Sequence, residues 1–262
     1  LKKGWTVLSA FPRILHARMR SGNDCPSIGL AVSDAWPDRY QFRRLPYDLA
    51  LARAGARVVT MAPSRAKHLD RIIANIHGLV LAGGEDIHPD HSGADEGDAR
   101  SISLERDKFE MMLLDRAARR NIPVLCICRG AQLLAVWAGG RIECRHRDAA
   151  HAKGHISTPG RLAWHKVVAH PGSRLHDIFG GKPVFANSFH RYVITDAGRL
   201  RVSAVVGEND VEGVELAGER FVVGVQWHPE LQAVFSEPNQ KLFRALVHAS
   251  VHEPSNNRSN KV

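Results

Sequence analysis

Along the first half of the chain, short and almost wholly apolar runs take turns with stretches of helical periodicity, and few folds accommodate that alternation. The apolar runs cover residues 28–32, 57–61, 78–82 and 123–127. Between them, residues 47–54 read as a helix ending at Gly55, a residue suited to a helix C-terminus. Residues 103–120 place Leu104, Phe109, Met112, Leu113 and Ala117 near a 3.6-residue period, and residues 130–138 read as a further helix. Strands that are apolar on both sides and alternate with helices belong in a parallel sheet covered on both faces. After Gly140 the character changes: residues 162–169, 183–186, 201–207, 211–217 and 220–226 are strand-like, with hairpin signals at Glu208-Asn209-Asp210 and Gly218-Glu219. A mixed or antiparallel extension is expected there, closed by a helix over residues 240–251.

The 262 residues suit one large α/β domain over residues 25–252. Residues 1–24 are expected to form a loose basic tail, and residues 253–262, rich in Ser and Asn, a disordered one. No apolar run reaches the roughly 18 residues of a membrane span, so no membrane partner is expected. The formal charge of +9 raises the question of nucleic acid, but Lys2, Lys3, Arg13, Arg18 and Arg20 against Asp24 supply +4 of it. The other basic residues are scattered without interleaved aromatics, which argues against a nucleic-acid partner. Cys25, Cys126, Cys128 and Cys144 show neither a disulfide framework nor paired metal knuckles, which fits a reducing cytoplasm. His146, His151 and His155 have a spacing open to a metal, yet basic neighbours Arg145, Arg147 and Lys153 read as a surface loop. No metal and no cofactor is expected.

The most informative segment is Val124-Leu125-Cys126-Ile127-Cys128-Arg129-Gly130-Ala131-Gln132. An apolar strand runs straight into a helix with Cys128 at the junction and glycine two positions later, the arrangement of a nucleophile elbow. A side chain there projects from the carboxyl edge of the sheet, where open α/β sheets bind ligands. It also faces a helix N-terminus, whose partial positive charge favours a thiolate. Cys126, inside the strand, reads as a small buried residue.

A cysteine nucleophile needs a base and a group to orient that base. His228 and Glu230, in Gln226-Trp227-His228-Pro229-Glu230, are two apart at a strand end, so both can lie on one face and the carboxylate can hold the imidazole. A tetrahedral intermediate also needs N–H donors aimed at its oxyanion. The N–H of Arg129 is one candidate, and the Gly83-Gly84 pair, with Gly84 as donor, is the other.

These residues resemble the class I glutamine amidotransferase superfamily, and within it the peptidase C26 branch typified by γ-glutamyl-γ-aminobutyrate hydrolases. The resemblance runs over about residues 27–248 and is carried by residues 79–89, Arg106-Asp107 with Glu110, residues 128–132 with Gly139-Gly140, residues 187–190 and residues 226–230. It implies a class I glutaminase-like, flavodoxin-like three-layer α/β fold with a central, mostly parallel sheet and a mixed or antiparallel extension in the C-terminal half. It further implies that Cys128 is the nucleophile, His228 the base and Glu230 its orienter, with a γ-glutamyl thioester hydrolysed by water. Gly83, Gln132, Asn187, Ser188 and His190 are implied to surround the γ-glutamyl group. The family usually has glycine two residues before the nucleophile, where this chain has Cys126, and close members continue past the Asn-Ser-x-His motif with His-Gln, where this chain has Arg191-Tyr192. An aromatic residue often found near Asp90-His91-Ser92 is also missing. Arg191, with a planar fork suited to a carboxylate, is expected at the leaving-amine end of the pocket. The expected function is hydrolysis of a small γ-glutamyl amide, with a homodimer allowed. The competing readings are a glutaminase subunit that supplies ammonia to a partner synthase and a catalytically silent binding scaffold.

Overall fold

The computed structural model describes residues 25–34, 41–92, 101–145 and 163–252. The expected tails and His146, His151 and His155 lie outside them. The strands are β1 (Ser27–Ala31), β2 (Arg57–Met61), β3 (Gly78–Leu81), β4 (Val124–Ile127), β5 (Arg141–Cys144), β6 (Ala163–Ala169), β7 (Val184–Ser188), β8 (Tyr192–Asp196), β9 (Arg201–Val206), β10 (Asp210–Glu215) and β11 (Val222–Val225). The helices are α1 (Gln41–Arg53), α2 (Leu69–Ile73), α3 (Pro89–Ser92), α4 (Leu104–Arg120), α5 (Arg129–Trp137), α6 (Arg174–Phe179), α7 (Pro229–Gln232) and α8 (Glu237–His252).

One sheet carries the fold, in the order β2-β1-β3-β4-β11-β10-β9-β6-β7. From β2 to β11 every neighbour is parallel. Beyond β11 the pairing turns antiparallel, through the hairpin β9–β10 and the pair β6–β7, while β8 joins β10 and β5 off the main path. The mostly parallel sheet with an antiparallel extension is therefore as expected from the pattern of apolar runs.

Alternation along the central strands sorts side chains into two cores. Val80, Ala82, Leu125, Ile127, Val223 and Val225 pack with Leu51 of α1 and Leu242, Phe243 and Leu246 of α8. Leu79, Leu81, Val124, Cys126 and Val222 face the other way, against Phe109, Leu113 and Leu114 of α4 and Leu133 and Leu134 of α5. Fully buried strands between two helical layers account for the continuous apolar runs in the sequence. Ser103 caps α4 by accepting the N–H of Arg106, and Asn121 closes it in the left-handed conformation.

Three of the differences from the expected elements have physical causes. The first helix begins at Gln41 rather than at residue 47, carrying Pro46 inside it, where a proline ordinarily marks a helix start. Strands β5 and β8 were not expected from the pattern; they pair chiefly with each other across about fifty residues of chain. Helix α6 is one short, Ser173-capped turn and a half, too brief for a periodic signal.

Candidate active site

Cys128 stands at the carboxyl end of β4, where the chain turns into α5, with φ +52° and ψ −106°. A positive φ is rare for a residue with a Cβ and costs on the order of 1–3 kcal/mol, so the surrounding structure must hold it. It does so from both sides. The Cys128 N–H donates to Val225 O at 2.8 Å, tying the turn to β11, and its carbonyl accepts the N–H of Gln132 at 3.1 Å. A Cβ on Gly130 would come 2.5 Å from Leu81 O, so the glycine two residues after the cysteine lets α5 press directly onto β3.

His228 and Glu230 follow β11 at the same sheet edge. His228 Nδ1 lies 2.7 Å from Glu230 Oε1, which leaves Nε2 for Cys128. Glu230 is buried, and the His228 side chain is 15% exposed. Burial opposes a charge on the imidazole, but the Glu230 carboxylate and then Cys128, both also hydrogen-bonded to it, raise its pKa well above the ordinary 6.5. The backbone of His228 is clasped by Asn187, whose Oδ1 accepts the His228 N–H at 3.0 Å while its Nδ2 donates to the His228 carbonyl at 3.2 Å. Trp227, fully buried, anchors the same stretch by donating to Asn239 Oδ1 at 3.0 Å.

Gly83 and Gly84 follow β3 beside this pair. A Cβ on Gly83 would lie 2.7 Å from His228 Cε1 and 3.5 Å from Cys128 Cβ, so the loop fits against the pair only without a side chain. Gly84 has φ +146°, a conformation that side chains rarely adopt. Its neighbour on the other side is Arg106 of α4.

The remaining residues expected around a substrate divide in two. Gln132 is buried and donates to Tyr192 O at 3.1 Å and to Gln226 Oε1 at 3.3 Å. Ser188 and His190 are buried as well, and His190 faces Glu212 at 3.2 Å and the Tyr192 carbonyl at 3.0 Å. Arg191 makes an ion pair with Asp86, with both side chains less than a fifth exposed. Phe189, between them in sequence and 40% exposed, stands edge-on to His228 with ring centroids 5.5 Å apart. Gly83, Asn187, Cys128, His228 and Glu230 thus converge, whereas Gln132, Ser188 and His190 are buried among other partners.

Two further residues of the site were assigned no role from the sequence. Tyr47 of α1 accepts the Gly83 N–H at 3.1 Å; burial, followed by Glu230, pushes its phenol well above the ordinary 10, so it remains a donor facing that carboxylate. Gln226 places its Nε2 3.8 Å from Cys128 Sγ. Cys126, in the place where glycine is usual, pairs in register with Leu81 and Gly224 and points into the core against α4. Burial and then Glu110 push its thiol well above 9.0, which keeps it neutral.

A sulfur on such a turn, an imidazole beside it and a carboxylate on the far ring nitrogen can move a proton away from sulfur and return it to a leaving group. Among the described residues, no group of three or more His, Cys, Asp or Glu side chains could hold a metal, and no helix is long and apolar enough to cross a membrane.

The family described as Peptidase C26 matches residues 30–230. The protein named "Putative glutamine amidotransferase PB2B2.05" of Schizosaccharomyces pombe is 33% identical over 235 residues, covering 87% of this chain and 87% of that protein. The gamma-glutamyl-gamma-aminobutyrate hydrolase of Escherichia coli O157:H7 is 28% identical over 213 residues, covering 78% of this chain and 84% of the hydrolase. The glutaminase domain of Trypanosoma brucei CTPS, solved with bound acivicin, aligns with a TM-score of 0.63 at 15% identity, covering 85% of this chain and 94% of that one. That likeness is one of fold, and it is the class I glutaminase fold.

Proposed function

We propose, for a chain that belongs to the peptidase C26 family, that it hydrolyses the amide bond of a small γ-glutamyl compound through a thioester on Cys128. The observation that carries this reading is Cys128 on a positive-φ strand-to-helix turn, hydrogen-bonded to an imidazole that Glu230 holds at 2.7 Å. The Cys128 thiolate attacks the γ-carbonyl carbon, and the oxyanion forms between the N–H groups of Gly84 and Arg129. Collapse breaks the C–N bond, and the amine leaves with a proton from His228. Water then gives a proton to His228 and attacks the thioester, releasing glutamate and restoring the thiolate.

Gly83 and the Asn187 side of the cleft meet the γ-glutamyl group, with Gln132, Ser188 and His190 shaping the wall behind it. The leaving amine passes Phe189 and Arg191. Because Asp86 already balances much of the Arg191 charge, acidic amines gain less there than a lone guanidinium would give them. The 33%-identical relative named for amidotransferase activity supports a second reading, a glutaminase that delivers ammonia to a partner. Purified protein assayed with γ-glutamyl-γ-aminobutyrate, γ-glutamyl-putrescine and free glutamine separates the two. Faster turnover of the larger amides by the protein alone supports the hydrolase; activity on glutamine alone supports the second reading.

A further inference from the structure

The Arg106, Asp107 and Glu110 motif is not used by the chemistry above, yet it forms a buried ion network directly behind the glycine loop. Arg106, 0% exposed, donates from Nε to Glu110 at 2.8 Å, from Nη1 to Glu85, and from Nη2 to the carbonyls of Ala82 at 3.2 Å and Gly83 at 3.0 Å. Glu110 uses its other oxygen for Arg129, the residue that follows Cys128. Asp107 also takes Arg129, and its second oxygen accepts the N–H of His88 at 2.8 Å. Burying two arginines and two carboxylates costs a large desolvation penalty that a merely packed core would avoid, so the network invites a reason beyond stability.

The Gly83 carbonyl and the Gly84 N–H belong to one planar trans peptide and point in opposite directions. Arg106 therefore fixes both when it holds the carbonyl. Turning the peptide over would aim the Gly84 N–H at a guanidinium that has donors only, and would aim the Gly83 carbonyl at the place of the developing oxyanion. We propose that Arg106 is a positioning residue that locks the Gly83–Gly84 peptide with its N–H facing the substrate carbonyl oxygen beside Cys128. Through the shared Glu110, it also ties that donor to Arg129, whose N–H is the second. The inference rests on the hydrolase reading.

Arg106→Lys keeps a buried positive charge but loses the fork that spans Glu110, Glu85 and the two carbonyls. Three quantities read the outcome: steady-state turnover, alkylation of Cys128 by iodoacetamide, and inhibition by the γ-aldehyde of glutamate, which forms a tetrahedral adduct on cysteine. Losing one oxyanion donor lowers kcat by roughly 100- to 1,000-fold, and the lock predicts a similar loss of aldehyde affinity. KM and the alkylation rate, which need no oxyanion donor, should stay within about threefold. Unchanged kcat, or kcat, KM and alkylation deteriorating together, overturns the proposal. Should Arg106→Lys fail to fold, Glu85→Gln decides: its side chain is 18% exposed, and it should give the same split with a kcat loss of roughly three- to tenfold. An unchanged kcat in Glu85→Gln then overturns the lock. Wild-type protein that turns over no γ-glutamyl amide overturns the hydrolase reading and the lock with it, whereas an active wild type beside unaffected variants overturns the lock alone.

Discussion

Adding one methyl group at Gly83 is a small change that reaches both Cys128 and His228. The new Cβ would sit 2.7 Å from His228 Cε1 and 3.5 Å from Cys128 Cβ. Carbon atoms settle at roughly 3.5–4.0 Å, so the imidazole must withdraw by about 1 Å. It cannot do so and keep both its 2.7 Å bond to Glu230 and its contact with Cys128. A displacement of that size costs about a hundredfold in rate, or about 2.7 kcal/mol of transition-state stabilisation. Gly83 is not among the residues with positive φ, so the backbone accepts alanine, and the melting temperature should fall by only a few degrees. The assay pairs kcat/KM of Gly83→Ala on a γ-glutamyl amide with its thermal unfolding. A variant with full kcat/KM would refute the placement of His228 against Cys128 and the glycine loop; a variant that unfolds at room temperature would show that Gly83 serves packing instead.

Glu230→Gln should lower kcat/KM by roughly ten- to a thousandfold, and His228→Ala by about a thousandfold or more. Because Glu230 helps raise His228 above 6.5, the alkaline limb of the pH profile should move down in Glu230→Gln, and an unmoved limb contradicts the pairing. The same raised pKa stabilises the fold fully below about pH 6.5 and loses that contribution as pH climbs through it, so Glu230→Gln should destabilise more at pH 6 than at pH 9, as denaturant titrations would report. Arg191→Gln should change the preference for γ-glutamyl-γ-aminobutyrate over γ-glutamyl-putrescine by less than about tenfold, because Asp86 shares the charge; a shift beyond a hundredfold would mean that Arg191 leaves Asp86 to bind substrate. Alanine at Cys25, Cys126 or Cys144 should leave turnover within about threefold of wild type, and loss of activity in any of them would point to a second functional thiol.

The central strands and the turn at Cys128 were legible because their causes are local. Strands buried on both faces must be apolar at every position, as residues 78–82 and 123–127 are, and Gly130 is required by its approach to Leu81 O within the same unit. His228 and Glu230 were legible from their close spacing just past a strand, although they meet because His228 precedes α7 and Glu230 stands in its first turn, not because both lie in an extended run. What was not legible depends on contacts between distant segments. Tyr47 reaches Gly83 across 36 positions, Gln226 reaches Cys128 across 98, and the partner of Arg191 is Asp86, 105 positions away. Nothing in the chain marks Tyr47, and the motifs that contain Gln226, Asp86 and Arg191 do not say which distant residue each of them meets. The Asn-Ser-x-His segment marks a place without revealing how it works there, since Asn187 holds the His228 backbone while Ser188 and His190 face inward.

In the proposed reaction Cys128 carries the γ-glutamyl group between the two half-reactions. Acid quenching during turnover of a γ-glutamyl amide, followed by intact-mass and peptide analysis, tests it directly. The expected result is protein heavier by one glutamyl residue, with the addition on the peptide that contains Cys128, released by hydroxylamine as a thioester is and missing in Cys128→Ala. A glutamyl addition on any other residue, or steady turnover by Cys128→Ala, would contradict it.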